Sequence, residues 1–434
     1  MPPDVPTSPR KDGRLLLLVV LLAVLVQTVL IVLKGQRYYF ADTAEYDAAA
    51  RRILRGLGPG ADFPRAPLYP AFMALGYLLG GVGNFQAVRL LQAAFGIGLV
   101  LLVARLGRRM GQPVAGFLGA LGVAVAPTLA YTTSMLYPTM LYTVLLFAIT
   151  ALAWSLAERP GLGRAAGLGV LMALVWLTDA IVVAPLAAVL VWLLLAARGT
   201  LARRLAIVGL AVAVALLAAG SWTQYHRRAN GSPAVPLAKA QYVLYVARHD
   251  PEVVGGHTVS DTTGKEFQPL PLGRFLRREL GLMREQPAAY MHDYALEFVH
   301  FFKPMPDRIQ TSNQYTRTEV RWLVALYFAG VLLFAPIGLL WGAAPLRARL
   351  LLALVPLATA AAYALFFSQM RYRIPTEPQL LLLSSLGLLR LLPRGRAGRA
   401  VAVPGAGGGA GRPRPGAGGT DRPAARPDRM TAGE

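Results

Sequence analysis

The chain has 434 residues, of which 55% are hydrophobic and only 15% charged. Soluble domains carry about a quarter charged residues, so this composition excludes an ordinary soluble enzyme and defines a membrane protein. The net charge of +22 is dominated by Arg in loops and in the C-terminal stretch. With no helix-turn-helix pattern and no aromatic–basic RNA motif, that charge reads as facing an anionic leaflet rather than nucleic acid. Cysteine is absent, which excludes a disulfide framework, a thiolate metal site and thiol redox chemistry.

In chain order, residues 1–14 form a short basic N-terminus, followed by the apolar run Leu15–Leu33. About 20 apolar residues suffice to cross a bilayer. The run is long for a signal peptide, and Lys34-Gly35-Gln36-Arg37 follows in place of a small-residue cleavage site, so it is expected to be an anchor. A polar loop, 34–66, comes next. Apolar segments then lie near 67–82, 87–104, 113–131, 135–157, 165–181, 182–197 and 205–222. A second polar stretch covers 223–318, and three more apolar segments lie near 319–341, 347–367 and 374–392. The fold expected is all-α and polytopic, with about 10–11 transmembrane helices and two extracytoplasmic loops containing amphipathic helices. Residues 15–222 would form a catalytic module, 319–392 the C-terminal helices, and the Gly/Pro/Ala/Arg-rich 393–434 a disordered cytoplasmic tail.

Short basic loops recur at Arg105/Arg108/Arg109, Arg159/Arg164, Arg198/Arg203/Arg204 and Arg347/Arg349. All fall on the cytoplasmic side, together with both termini, if 67–82 does not cross the membrane. That segment is short, opens with Pro67 and Pro70, and ends in Gly80-Gly81-Val82-Gly83. Both polar loops then face outward. All five histidines lie within 223–318 (His226, His249, His257, His292 and His300), and none forms the i, i+4 pair of a zinc helix. Two helices are expected there, one over Leu272–Gln286 and one after Pro287. The latter carries an aromatic stripe of Tyr290, Tyr294, Phe298 and Phe301, suited to the membrane interface or to packing against the protein.

Chemistry is best sought in Tyr38–Pro70, where Asp42, Glu45, Asp47 and Asp62 cluster between apolar segments. Asp42 opens a helix that runs to Gly56. With Glu45 three residues on, it matches a capping box, and a carboxylate there can also act as a general base. Asp42 and Tyr46, one turn apart, share a helix face. Arg371 and Arg373 lie at the mouth of a late segment on the side where Arg is disfavoured; they suit a phosphate, or a partner such as Glu377. Asp179 is an acid within apolar surroundings, expected to pair with Arg65, Arg371 or Arg373 or to cap the break between its two segments.

Three motifs carry a resemblance. Asp42-Thr43 with Tyr46, an Ala-rich helix and Arg65-Ala66-Pro67-Leu68-Tyr69-Pro70 come first. Trp222 through Gly231 is the second, and Arg371-Tyr372-Arg373-Ile374-Pro375-Thr376-Glu377-Pro378 the third. Together they resemble the C-type-fold membrane glycosyltransferases, in the branch of protein O-mannosyltransferases and the aminoarabinose transferase of lipid A. The resemblance spans about residues 15–392. It implies transfer of a sugar, with inversion, from a polyprenyl-phosphate carrier to an acceptor hydroxyl at the outer face of a bacterial cytoplasmic membrane. The acceptor class (protein, lipid or polysaccharide) stays open. Asp42 would be the catalytic base. Glu45, Tyr46, Arg65, Tyr69, Asp179, Arg371, Tyr372 and Arg373 would bind substrate. No protein metal ligands are indicated, and a divalent metal is left open. Two departures stand out. Tyr131–Thr139 lacks the acid that the family often carries there, and Leu177-Thr178-Asp179-Ala180 replaces the family's Leu-Thr-Arg-Pro, which makes Asp179 a candidate for the missing carboxylate. A transporter or flippase of lipid-linked sugars would instead show internal repeats and midplane polar sites. An O-antigen ligase or polymerase would place its catalytic residues in the later loop, and an inactive scaffold is the remaining alternative.

Overall fold

The computed structural model describes residues 9–37, 42–60, 63, 65–230, 270–306, 318–366 and 368–392. Asp62, His249, His257 and the tail 393–434 lie outside the described residues. All regular structure among the described residues is helical. Six helices are long and apolar enough to cross a membrane by length and composition: Gly13–Lys34, Phe85–Arg109, Thr139–Glu158, Leu201–Tyr225, Glu319–Trp341 and Leu346–Tyr363. A bent pair makes a seventh, and Leu68–Gly80, Leu162–Trp176 and Val183–Ala196 are shorter apolar helices.

The helices are α1 (Pro9–Lys34), α2 (Asp42–Leu54), α3 (Leu68–Gly80), α4 (Phe85–Arg109), α5 (Pro113–Val125) and α6 (Pro127–Ser134). Then follow α7 (Thr139–Glu158), α8 (Leu162–Trp176), α9 (Val183–Ala196), α10 (Leu201–Asn230), α11 (Leu272–Glu285) and α12 (Pro287–Phe301). The last are α13 (Thr318–Trp341), α14 (Leu346–Tyr363), the single turn α15 (Met370–Arg373) and α16 (Glu377–Leu391).

Local chemistry places most boundaries. Asn84 caps α4 by accepting from the backbone N–H groups of Gln86 (3.1 Å) and Ala87 (3.3 Å). The expected single segment 113–131 is in fact two helices bent by 52°. Pro127 is the cause: it drives the preceding Ala126 out of the helical region, to ψ 117°. Helix α2 ends by Leu54 and the chain turns at Gly56, whose φ of 74° suits glycine.

Bonds between loops sort the helix termini into two ends. At one end Gln36, after α1, donates to Asn84 at 3.2 Å and accepts from the Phe85 N–H at 3.0 Å. There too Thr43 donates to the Leu136 carbonyl (3.1 Å), and the Leu68 N–H to the Leu177 carbonyl (3.1 Å). At the other end Glu158 receives both Arg198 (3.2 Å) and Arg347, and Trp192 donates to the Arg347 carbonyl (3.0 Å). Helix α3 therefore starts and finishes at the same end, from Leu177 back to Asn84 beside Gln36. At 13 residues it is about 20 Å long, short of a roughly 30 Å hydrocarbon core. The loops at 158–161, 197–200 and 345–347 gather at the opposite end, as the charge pattern requires.

Small residues let the helices close up. A Cβ at Gly387 would lie 2.0 Å from the Phe334 carbonyl oxygen, and one at Gly338 would lie 1.8 Å from that of Leu383, so α13 and α16 meet backbone to backbone. Buried Arg89 (0% exposed) serves as an internal clamp. It donates to the carbonyls of Ser134 (2.7 Å), Gly35 and Arg37, tying α4 to the chain leaving α1 and to the end of α6.

Candidate functional site

The first turn of α2 carries the core of the site. Arg65 reaches back from the loop before α3, with Nη2 2.9 Å from Asp42 Oδ1 and Nε 2.7 Å from Glu45 Oε2. One guanidinium thus bridges both acids of the apparent capping pair, a fork geometry that lysine could not reproduce. Burial acts against the Arg65 charge. Its bond to Glu45 and the proximity of Tyr46 and Asp42 outweigh that and raise its pKa. The second oxygen of Asp42 accepts from the Tyr137 hydroxyl at 3.2 Å.

Tyr46 is buried beneath this pair. The Arg65 guanidinium stands 5.5 Å from its ring centre, and its edges meet Phe63 (6.1 Å), Tyr69 (5.0 Å) and Tyr137 (6.0 Å). Tyr69 is only 1% exposed, and its hydroxyl donates to Gln92 at 2.7 Å. Gln92 in turn donates to the Thr133 (2.9 Å) and Met135 (2.6 Å) carbonyls, pinning the strand of chain that delivers Tyr137. Tyr69, expected to contact substrate, spends its hydroxyl inside the protein, and its ring supports Tyr46.

The arginine pair separates. Two positions apart on one helical turn, side chains do not share a face. Arg373 turns inward and is 0% exposed. It donates to the Lys303 carbonyl (2.6 Å), pairs with equally buried Glu377 (3.3 Å) and lies over the Phe328 ring. Of the two partners expected for it, a phosphate or Glu377, the structure shows Glu377. Arg371 turns the other way. Its Nη2 donates to the Tyr372 hydroxyl at 3.0 Å, and its buried Nε has no hydrogen-bond partner among the described residues. Burial opposes its charge, but Tyr372, Tyr137 and Asp42 are near enough to outweigh it and raise its pKa. Tyr372 stacks face to face on Tyr363, ring centres 4.2 Å apart.

Asp179 makes no ion pair with Arg65, Arg371 or Arg373 among the described residues. It accepts from the Ile181 N–H at 3.1 Å, capping the 3-10 turn Ala180–Val182, and from the Tyr363 hydroxyl at 3.4 Å. Of the expected alternatives, pairing with an arginine or capping the break, the structure shows the cap, with the distant Tyr363 hydroxyl as a second donor.

The aromatic stripe of α12 packs on the protein. Phe301 is fully buried against Tyr363 (6.4 Å), and Tyr294 donates to the Ala361 carbonyl at 3.2 Å. Glu297 accepts from the Ser368 N–H, so the second polar region is anchored to the hairpin bearing Arg371. Sequence reasoning missed Tyr137, Tyr363 and Arg89. Tyr137 carries no sequence signal of its own, because a single Tyr in the polar stretch Tyr131–Thr139 is not distinguishable from its neighbours. Arg89 had a signal, a charge in the first turns of an apolar helix whose other arginines lie in its last two turns. Among the described residues no three His, Asp or Glu side chains come together as a metal site.

These features define a polytopic helical membrane protein with a polar region where the loops after α1, α6, α8 and α14 converge. A family model described as "Dolichyl-phosphate-mannose-protein mannosyltransferase" matches residues 64–222. The fold is similar to that of ArnT from Cupriavidus metallidurans bound to undecaprenyl phosphate, with TM-score 0.56 and 18% identity over 87% of this chain and 60% of that one. It is also similar to the archaeal oligosaccharyltransferase AglB from Archaeoglobus fulgidus, in complex with an inhibitory peptide and a dolichol-phosphate (TM-score 0.53, 14% identity, 86% of this chain and 50% of that one). The chain thus spans about half to three-fifths of the length of these structures. No curated protein sequence matches it. The resemblance to C-type-fold glycosyltransferases drawn from the motifs is met in both sequence and fold.

Proposed function

We propose that the protein is a membrane glycosyltransferase. It transfers a sugar from a polyprenyl-phosphate carrier to an acceptor hydroxyl at the extracytoplasmic face, with inversion at the anomeric carbon. The observation that carries this reading is the placement of Asp42 and Arg371 around Tyr137. A carboxylate and a cation with an uncommitted N–H flank one phenol at the end of the bundle opposite the basic loops. Inverting transfer needs both: a base to take the acceptor proton as its oxygen attacks, and a positive group to stabilise the departing lipid phosphate.

In this reading Asp42 is the base. Arg65 and Tyr137 hold its carboxylate in one orientation while Glu45 occupies the other arm of Arg65. Tyr46 supplies the buried floor. Arg371, steadied by Tyr372, meets the phosphate, and the lipid tail lies between helices bordering the site. The charge rule puts this end outside and the N-terminus in the cytoplasm. A bacterial cytoplasmic membrane is the setting proposed.

The test is sugar transfer by the full chain in nanodiscs, supplied with radiolabelled polyprenyl-phosphate sugars and cell-envelope acceptors, with Asp42→Asn alongside. Label transferred by the wild type and lost in the variant at equal folding supports the proposal. Equal transfer by both would remove Asp42 as base. Transfer by neither, with any donor, would refute the activity.

A further inference from the structure

Beside the Asp42–Arg371 site lies a second polar cluster that the proposed reaction does not use. The hydroxyl of Tyr142, in the first turn of α7, is buried and has no hydrogen-bond partner among the described residues. The Tyr363 hydroxyl reaches Asp179 at 3.4 Å, and the Asp179 charge is also felt at Tyr142 and Tyr46, so these phenols lie within electrostatic reach of one carboxylate. Asp179 spends one bond on the Ile181 N–H and one on the Tyr363 hydroxyl. A carboxylate accepts about four, so Asp179 keeps acceptor capacity beyond these two bonds.

The cluster is continuous with the proposed reaction centre on both flanks. Tyr137, which bonds Asp42, and Tyr142 straddle the turn at Pro138, where the Tyr142 N–H donates to the Pro138 carbonyl at 2.9 Å. Tyr363 stacks on Tyr372, whose hydroxyl takes the Arg371 bond. A buried phenol without a partner is destabilising, and a ligand that supplies the partner relieves that cost. A saturated ring bearing hydroxyls or an amine supplies donors for the carboxylate and a partner for the phenol.

We infer that Asp179, Tyr142 and Tyr363 form a subsite that reads hydrogen-bond donors, hydroxyl or amine, on the sugar ring of the lipid-linked donor. This deepens the proposed function and rests on it.

The two key variants preserve the fold by construction. Asn caps as well as Asp, so Asp179→Asn keeps the Ala180–Val182 turn. Tyr142→Phe deletes an atom that bonds nothing described. Binding to full-length protein in nanodiscs would be measured for polyprenyl-phosphate mannose, polyprenyl-phosphate glucosamine and sugar-free polyprenyl phosphate. We expect both variants to weaken at least one sugar-bearing lipid by roughly tenfold or more, with the sugar-free lipid unchanged. A loss confined to mannose assigns hydroxyl recognition; a larger loss for glucosamine assigns the amine. Equal wild-type affinity for all three lipids, or an equal loss for all three in the variants, would overturn the subsite while leaving the donor reading intact. Absence of wild-type binding to any of the three would overturn the proposed function and the subsite with it.

Discussion

Tyr137 donates its hydroxyl to Asp42 at 3.2 Å across 95 positions of sequence, joining the first polar loop to the bend between α6 and α7. Through that bond a residue with no charge of its own orients the proposed base. Arg65 grips the other oxygen, so Asp42 is held from two directions by two different stretches of chain.

If Asp42 removes the acceptor proton, Asp42→Asn should lower the transfer rate by about 10²–10⁴-fold, the usual yield of general-base catalysis. Donor binding should persist, because the proposed phosphate contact belongs to Arg371. Single-turnover transfer beside a lipid-binding measurement checks this; loss of both together would point to a structural role.

Removal of the orienting phenol in Tyr137→Phe should cost about tenfold in turnover, since misplacement of a reacting group is penalised steeply. Burial pushes the Tyr137 phenol up to about 12, with Arg371 pulling the other way. A raised phenol pKa means the proton stays on at every pH below it. The pH–rate profile of the wild type between about pH 6 and 9 should then show no tyrosine limb, and Tyr137→Phe should scale the profile without changing its shape. A basic limb that disappears in the variant would contradict the assignment.

Arg65→Lys keeps a charge but loses the fork that spans Asp42 and Glu45. Turnover should drop by roughly tenfold or more while the melting temperature barely moves, because a partly exposed ion pair contributes only about 0–1 kcal/mol to stability. Thermal unfolding in detergent set against transfer rate separates the two effects.

The buried pair Arg373–Glu377 should behave in the opposite way. Both are 0% exposed, so Arg373→Met strands a carboxylate and should destabilise the protein by about 3–5 kcal/mol. Adding Glu377→Leu removes the stranded charge and should recover part of that loss. Single variants and the pair compared in one thermal-unfolding series decide it; a double variant worse than either single would refute the account.

Helix crossing supplies a check that involves no site residue. Gly387→Ala puts a methyl where the Phe334 carbonyl oxygen lies, 2.0 Å away, so α13 and α16 must separate. A loss of about 1–3 kcal/mol is expected from such overpacking. Gly98→Ala, which meets nothing within 4 Å, is the neutral control.

What the sequence determined by itself is local. Apolar runs of spanning length, proline at helix starts and Arg in alternate loops set the membrane class, the helical segments and the end at which polar chemistry gathers. These depend on stretches of a few to about 25 neighbouring residues. The shortness of 67–82 and the charge pattern together anticipated that α3 returns to the end it starts from. The tertiary structure alone decided partners. Thr128 bonds Glu377 across 249 positions, and Tyr363 meets Asp179 across 184. No local pattern encodes such pairings. Arg371 and Arg373 look equivalent in sequence, yet a helix rotates about 100° per residue, so one reaches the site and the other must be neutralised in the core. A buried charge tolerates only a matched partner, and where that partner lies is a property of the packed bundle.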